Sequence, residues 1–213
     1  VSQKFYFFDL DHTLLKINIS FAFGRYLFQK GELPLAKMFY CAFQYIKHKY
    51  LGLTLQQLQS SVFYSYFFGK NASQIAEHVN AFLDTHLLSF LQLPVYNILL
   101  EKVSQGHRIF IFSSSPDFLV KPIAQRLGVP FEATSYLTDC TNHFSSIGQV
   151  LCGQTKVKKA KAILLEASEV DTISVFSDSF QDLPFLEMAT HPIVVNPDYR
   201  LKKICSRKNW PIL

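Results

Sequence analysis

The chain has 213 residues, 49% of them hydrophobic and 17% charged, and a net charge of +5. That is enough apolar material for one ordinary domain, or for one domain carrying a sizeable insertion, and no repeats or low-complexity linkers interrupt it. The positive balance favours an anionic partner, but no recognised binding motif accompanies it, which argues against nucleic acid.

The first element is Phe5-Tyr6-Phe7-Phe8, an apolar run that reads as a buried strand of a parallel sheet and ends abruptly in Asp9-Leu10-Asp11-His12-Thr13-Leu14. Two carboxylates one residue apart at the carboxyl end of such a strand stand where open α/β sheets keep their active sites. Burying them side by side requires a cation or a hydrogen-bond network. Taken alone, the six residues also fit a polar turn leaving a strand.

From Phe21 to Phe90 the apolar residues fall at helical spacing, as in Leu35, Met38, Phe39, Ala42, Phe43 and Ile46, with breaks at Gly31 to Pro34, near Gly52 and at Gly69 to Ser73. This predicts a helical insertion. Between Leu15 and Lys70 the charge is one-sided: Lys16, Arg25, Lys30, Lys37, Lys47, Lys49 and Lys70 stand against a single acid, Glu32. After Pro94 strands and helices alternate. Helices are predicted over 98–105, 118–127 (closed by Gly128), 156–166 and 183–189, and strands over 108–112, 172–176 and 192–195. The Thr- and Ser-rich stretch 131–152 reads as hairpin-like. Such alternation gives a right-handed parallel sheet.

Cys41, Cys140, Cys152 and Cys205 share no C-x-x-C spacing, and the amino terminus reads as a strand instead of a cleavable leader, which together point to free thiols in a reducing cytoplasm. Cys140, His143 and Cys152 lack a fourth ligand at regular spacing and read as incidental.

Three further strand or turn ends carry polar clusters. The strand at 108–112 runs into Ser113-Ser114-Ser115-Pro116-Asp117, a hydroxyl-rich turn before a helix start of the kind that binds phosphate; Ser115 by itself is explained as an N-cap. The strand at 172–176 runs into Ser177-Asp178-Ser179-Phe180-Gln181-Asp182. Ser179 with Asp182 also fits a capping box, an explanation that does not reach Asp178. Gly153-Gln154-Thr155-Lys156 puts a lysine at a helix start, against the helix dipole, which calls for an anion nearby. Lys158, Lys159 and Lys161 read as a solvated face. Hard carboxylate oxygens with few nitrogen or sulfur ligands suit Mg²⁺, and a carboxylate can act as nucleophile in phosphoryl transfer.

Asp9-Leu10-Asp11-His12-Thr13, Ser113, Lys156 and Asp178 to Asp182 resemble the four ordered motifs of the haloacid dehalogenase superfamily of phosphohydrolases. The resemblance implies an α/β, Rossmann-like three-layer sandwich with a parallel sheet, spanning 1–14 and 91–213, plus a helical cap, 15–90, inserted after the first strand. It makes Asp9 the nucleophile and a Mg²⁺ ligand, Asp11 the general acid and base whose carbonyl also meets the metal, and Asp178 a further ligand. Ser113, with Ser114 beside it, and Lys156 would hold the phosphoryl oxygens. Asp182 would support the metal or orient Lys156, and Thr13 would fix the first loop. His12 reads as loop filler.

The cap and the tail around Asn196-Pro197 and Asn209-Trp210-Pro211 look most like the phosphoserine-phosphatase-like subfamily IB. True phosphoserine phosphatases place acids just after the first motif and two glycines after the second-motif serine. This chain has Lys16-Ile17-Asn18-Ile19 and Ser114-Ser115 instead, which argues against phosphoserine. Of the 32 aromatic residues, 16 lie between Leu15 and Phe90. They either form the core of the cap or, with the flanking lysines of Met38 to Ile46, an interfacial helix at the inner face of a membrane. The expected partners are accordingly a small phosphorylated metabolite or a phospholipid headgroup, with phosphatidylglycerophosphate the leading specific substrate. A phosphotransferase and a non-catalytic binding module are the competing functions.

Overall fold

The computed structural model describes residues 3–213. A five-stranded parallel sheet runs in the order β3-β2-β1-β6-β7, formed by β1 (Gln3–Asp9), β2 (Arg108–Pro116), β3 (Phe131–Thr134), β6 (Val170–Ser177) and β7 (His191–Val194). The period-2 alternation of β1 is read out directly. Phe8 goes to one face of the sheet, stacked on Phe176 with ring centroids 4.3 Å apart, and Phe5 and Phe7 go to the other. The first face is covered by α5 (Leu93–Ser104) and α6 (Asp117–Leu127), the second by α7 (Gln154–Leu165), α8 (Leu183–Glu187) and α9 (Tyr199–Lys208). The result is an α/β three-layer sandwich with a Rossmann-like sheet. All four cysteines are free thiols.

Two parts differ from the sequence expectation. Phe131–Thr134 is an edge strand of the main sheet, and only β4 (Tyr136–Thr138) and β5 (Phe144–Ile147) form the antiparallel hairpin. Helix α9 was not anticipated, although Asp198 caps it by accepting the Leu201 N–H at 2.8 Å.

Between β1 and β2 the chain makes a helical excursion: α1 (Ile19–Gln29), α2 (Leu35–Tyr50), α3 (Leu55–Val62), a wide turn Phe63–Phe67 and α4 (Ala72–Phe90). Asn18 and Asn71 cap α1 and α4, and Thr54 with Gln57 forms a capping box at α3. The excursion leaves and returns through a neck in which Leu15 bridges Leu91. Phe23, Phe63, Tyr66, Phe67 and Phe82 are buried, so part of the aromatic excess is core. The rest is not: α2 buries a single residue, the polar Gln44, and exposes Phe39, Phe43, Ile46 and Tyr50.

Side-chain contacts hold the excursion against the core, among them Arg126 to Asp84 at 2.6 Å and Asn142 to Ser73 at 2.8 Å. The Gln59 amide donates to the Ser114 carbonyl at 2.7 Å, Tyr136 donates to Gln59 at 3.0 Å, and His48 Nε2 lies 3.0 Å from the Gln181 amide nitrogen.

Candidate active site

The register of the three central strands brings the polar clusters together. Asp9 lies opposite Phe112 on β2, and Phe8 opposite Phe176 on β6, so Ser113 and Ser177, the next residues of those strands, flank Asp9 on either side. Lys156, in the first turn of α7, points back into this edge. Its Nζ donates to Asp9 Oδ1 and to Asp182 Oδ2, both at 2.6 Å, and Ser177 Oγ donates to the same Asp182 oxygen at 2.8 Å. The lysine against the helix dipole thus has its anions. Asp182 does not serve the capping box that its spacing suggested: Ser179 Oγ accepts the Gln181 N–H, while the Asp182 carboxylate turns inward to Lys156. Gly153 sets up the turn into α7 with φ 42°, and a Cβ there would sit 3.1 Å from the Gln181 carbonyl.

Asp11 is held by a different set. After β1 the chain makes a wide turn over Leu10–Leu14, with His12 at φ 58°. Asp11 Oδ1 accepts the Ile19 N–H at 2.6 Å and its Oδ2 accepts Ser115 Oγ–H at 2.7 Å; Ser115 Oγ in turn lies 2.9 Å from Ser20 Oγ. This corrects the explanation of Ser115 as an N-cap. Helix α6 begins at Asp117 after Pro116 and has no side-chain cap, so Ser115 is free to hold the carboxylate.

Ser113 is fully buried, and its Oγ accepts the Ser115 N–H at 3.0 Å. Ser114 contributes its carbonyl, which takes the Gln59 amide and the Thr134 hydroxyl. Thr13 Oγ1 is buried and has no hydrogen-bond partner among the described residues. His12 is exposed beside the site and makes no side-chain hydrogen bond among those described. Ser20, Ser177 and Gln59 are contacts that sequence reasoning did not single out, and Ser115 was assigned to a cap. Only Ser115 carried a signal, as the third hydroxyl of a run.

Three acids, Asp9, Asp178 and Asp182, share this pocket with one ammonium. Burial works against the Lys156 charge, but Asp182 and Asp9 outweigh it and hold the ammonium above its ordinary range. Burial pushes Asp9 up to about 7 against the pull of Lys156, with repulsion from Asp182 and Asp11 adding to it. Burial, then repulsion from Asp9 and Asp182, pushes Asp178 up to about 8. Asp11 is also raised by burial, restrained by the Ile19 N–H and the Ser115 hydroxyl. The cluster is therefore short of positive charge at the Asp9–Asp178 side. Two hard carboxylates that repel one another fit a divalent cation. Among the described residues no three acidic, His or Cys side chains are placed to hold a metal ion by themselves, and the Asp11 carboxylate is already engaged. A cation here would be held by the Asp9 and Asp178 carboxylates and the Asp11 carbonyl.

A raised carboxyl binds its proton more tightly in the folded than in the unfolded chain. Stability of the metal-free protein therefore rises as pH falls through about 8 and 7 toward the unfolded value of 3.8, and the penalty is fully present above pH 8. In chelator-containing buffer the melting temperature is expected to be higher at pH 5.5 than at pH 8.5. Calorimetric scans at the two pH values check this; a higher melting temperature at pH 8.5 contradicts it.

The chain matches named relatives over nearly its whole length. A probable phosphatase of Mycobacterium tuberculosis is 26% identical over 97% of this chain and 74% of its own. The histidinol-phosphatase of Neisseria meningitidis serogroup C is 24% identical over 97% of this chain and 96% of its own. Among solved structures, a protein of unknown function from Bordetella pertussis Tohama I superposes with a TM-score of 0.90 at 20% identity, covering 100% of this chain and 99% of the other. The family model for haloacid dehalogenase-like hydrolases matches residues 6–187, from within β1 to the end of α8. Most of the sheet and all of the clustered site fall inside that span, and the chain belongs to the haloacid dehalogenase-like hydrolase family.

Proposed function

We propose that the protein is a phosphoric monoester hydrolase that uses Mg²⁺ and an aspartyl-phosphate on Asp9. The observation that carries this is the segregation of the two motif carboxylates. Asp9 faces Lys156 in a cluster short of cations, whereas Asp11, one residue on, faces Ser115 and the Ile19 N–H. The same division is what phosphoryl transfer asks of a nucleophile and of an acid–base group.

In this mechanism Asp9 attacks phosphorus in line with the ester oxygen, and Asp11, protonated at the outset, gives its proton to the departing alkoxide. Asp11 then takes a proton from the water that hydrolyses the acyl phosphate, returning Asp9 to a carboxylate and releasing phosphate. Ser113 and Lys156 hold the non-bridging oxygens, and Asp182 keeps Lys156 aimed at Asp9. Ser115 and the Ile19 N–H orient Asp11. Mg²⁺ bound by Asp9, Asp178 and the Asp11 carbonyl would neutralise charge on the phosphoryl group. Residues 15–90 act as the cap over this site, with Ser20, Gln59 and His48 among its contacts to the core.

A lipid phosphate such as phosphatidylglycerophosphate is the specific substrate favoured by the outer surface. Helix α2 turns Phe39, Phe43, Ile46 and Tyr50 outward beside Lys37, Lys47 and Lys49, a pattern that suits the anionic surface of a membrane without entering it deeply. Among the described residues no helix is long and apolar enough to cross a membrane. Phosphoserine and histidinol phosphate, the substrates in the names of relatives, are the small-metabolite alternatives.

The test is a panel of phosphate esters with Mg²⁺ or chelator, comprising phosphatidylglycerophosphate in micelles, phosphoserine, histidinol phosphate and sugar phosphates. Mg²⁺-dependent release of phosphate is expected from at least one. Mg²⁺ is also expected to raise the melting temperature more at pH 8.5 than at pH 5.5, because protons compete for the same carboxylates. No turnover of any ester, with no metal-dependent shift in melting, would sink the proposal.

A further inference from the structure

The helical excursion encloses a cavity of about 180 Å³ between α1, α2, α3 and the start of α6. Leu27, Leu33, Met38, Leu58 and Val62 wall it. Among the described residues no carboxylate lines it, and Arg25 is its one permanent charge. Gly24 also faces it. A glycine in a helix interior weakens the helix, and here no crowding demands it, since an added Cβ would meet no heavy atom within 4 Å. What the missing side chain leaves is open space.

The cavity's position gives that space a meaning. Its floor is Ser20 and Ser115, the two hydroxyls in contact with each other, and Ser115 holds Asp11. Neither Asp9 nor Lys156 lines it. It reaches Ser115, whose hydroxyl holds the Asp11 carboxylate at 2.7 Å, without being lined by Asp11 itself.

We infer that this cavity receives the alcohol half of the phosphomonoester, and that this alcohol is apolar over most of its carbons and carries no ammonium group. The inference rests on the phosphatase mechanism above and adds the substrate class. An amino alcohol such as serine or histidinol would bring a buried ammonium into a space with no counter-charge, whereas methylenes there replace water contact with Leu, Met and Val. A soluble alkyl or aryl phosphate and a single-chain lipid phosphate share this chemistry.

The experiment follows hydrolysis of n-alkyl phosphates from ethyl to octyl with Mg²⁺, and in parallel the binding of n-alkylphosphonates by calorimetry. Affinity and kcat/KM are expected to rise about fourfold per methylene, the transfer value for one buried CH₂. Phosphoserine is expected at least about tenfold below butyl phosphate. Gly24→Leu favours the helix and fills the space, and should cut the octyl-to-ethyl ratio in both measurements by about tenfold. A length dependence that levels off by octyl supports a closed cavity for a soluble ester. One that continues through dodecyl phosphate and 1-acylglycerol 3-phosphate supports a lipid whose chain leaves by the mouth. Turnover with no length dependence in rate or binding overturns the cavity assignment and leaves the phosphatase standing. Length-dependent phosphonate binding without turnover of any ester does the reverse, and failure of both overturns both.

Discussion

Replacing Asp9 with Asn is expected to abolish phosphate release, by about 10⁴-fold or more, while leaving the fold intact. The amide keeps the shape of the side chain and still offers an oxygen to Lys156, which retains Asp182 as its charged partner at 2.6 Å. One of the mutually repelling acids is removed, so the metal-free variant should melt no lower than the wild type at pH 8.5. Rates on the best ester of the panel, with melting scans alongside, check both halves. Residual activity above about a hundredth of the wild type would remove Asp9 from the nucleophile's role.

The second large effect is on stability. Lys156→Met preserves most of the side-chain volume but leaves the Asp9 and Asp182 carboxylates, 8% and 6% exposed, without their shared cation. Breaking a buried pair from one side costs about 3–5 kcal/mol, or roughly 10 °C in a domain of this size. The loss should be greatest at pH 8.5 and shrink toward pH 5.5, where protons take over from the missing ammonium. Melting scans of wild type and variant in chelator at both pH values provide the check, and adding Asp182→Asn should recover part of the loss. An equal loss at both pH values would mean that packing, and not charge, is what Lys156 supplies.

Asp9, Asp11 and Asp178 were legible because acids ending an apolar run have no local reason to be there. Lys156 was legible for the same kind of reason, as a cation at the wrong end of a helix. Asp182 was only half legible, since three residues after Ser179 is where a capping box puts its acid, and nothing in the sequence tells an acid that caps from one that turns to a lysine 26 positions away. Ser115 was misread over a boundary of one residue. Had the helix begun at Pro116, Ser115 would have been its cap; it begins at Asp117, and the serine goes to Asp11. Strand β3 is four residues long and follows β2 through a helix, so its place beside β2 depends on partners that its own sequence does not specify. Gln59 gave no signal, because an amide on an exposed helix becomes a contact to Ser114 only when the excursion folds back.

The position of β1 carries a cost during synthesis. It precedes every other strand, yet it is the middle strand of the sheet, paired on one edge with residues 108–116 and on the other with residues 170–177. Until β6 has been made, Phe5 to Phe8 present a full row of unpaired backbone groups on a strand of high β-propensity. Such an edge is a template for other chains. Fragments that stop short of Val170 should therefore aggregate, and the yield of native protein in the cell should depend on how quickly translation carries the ribosome past that point.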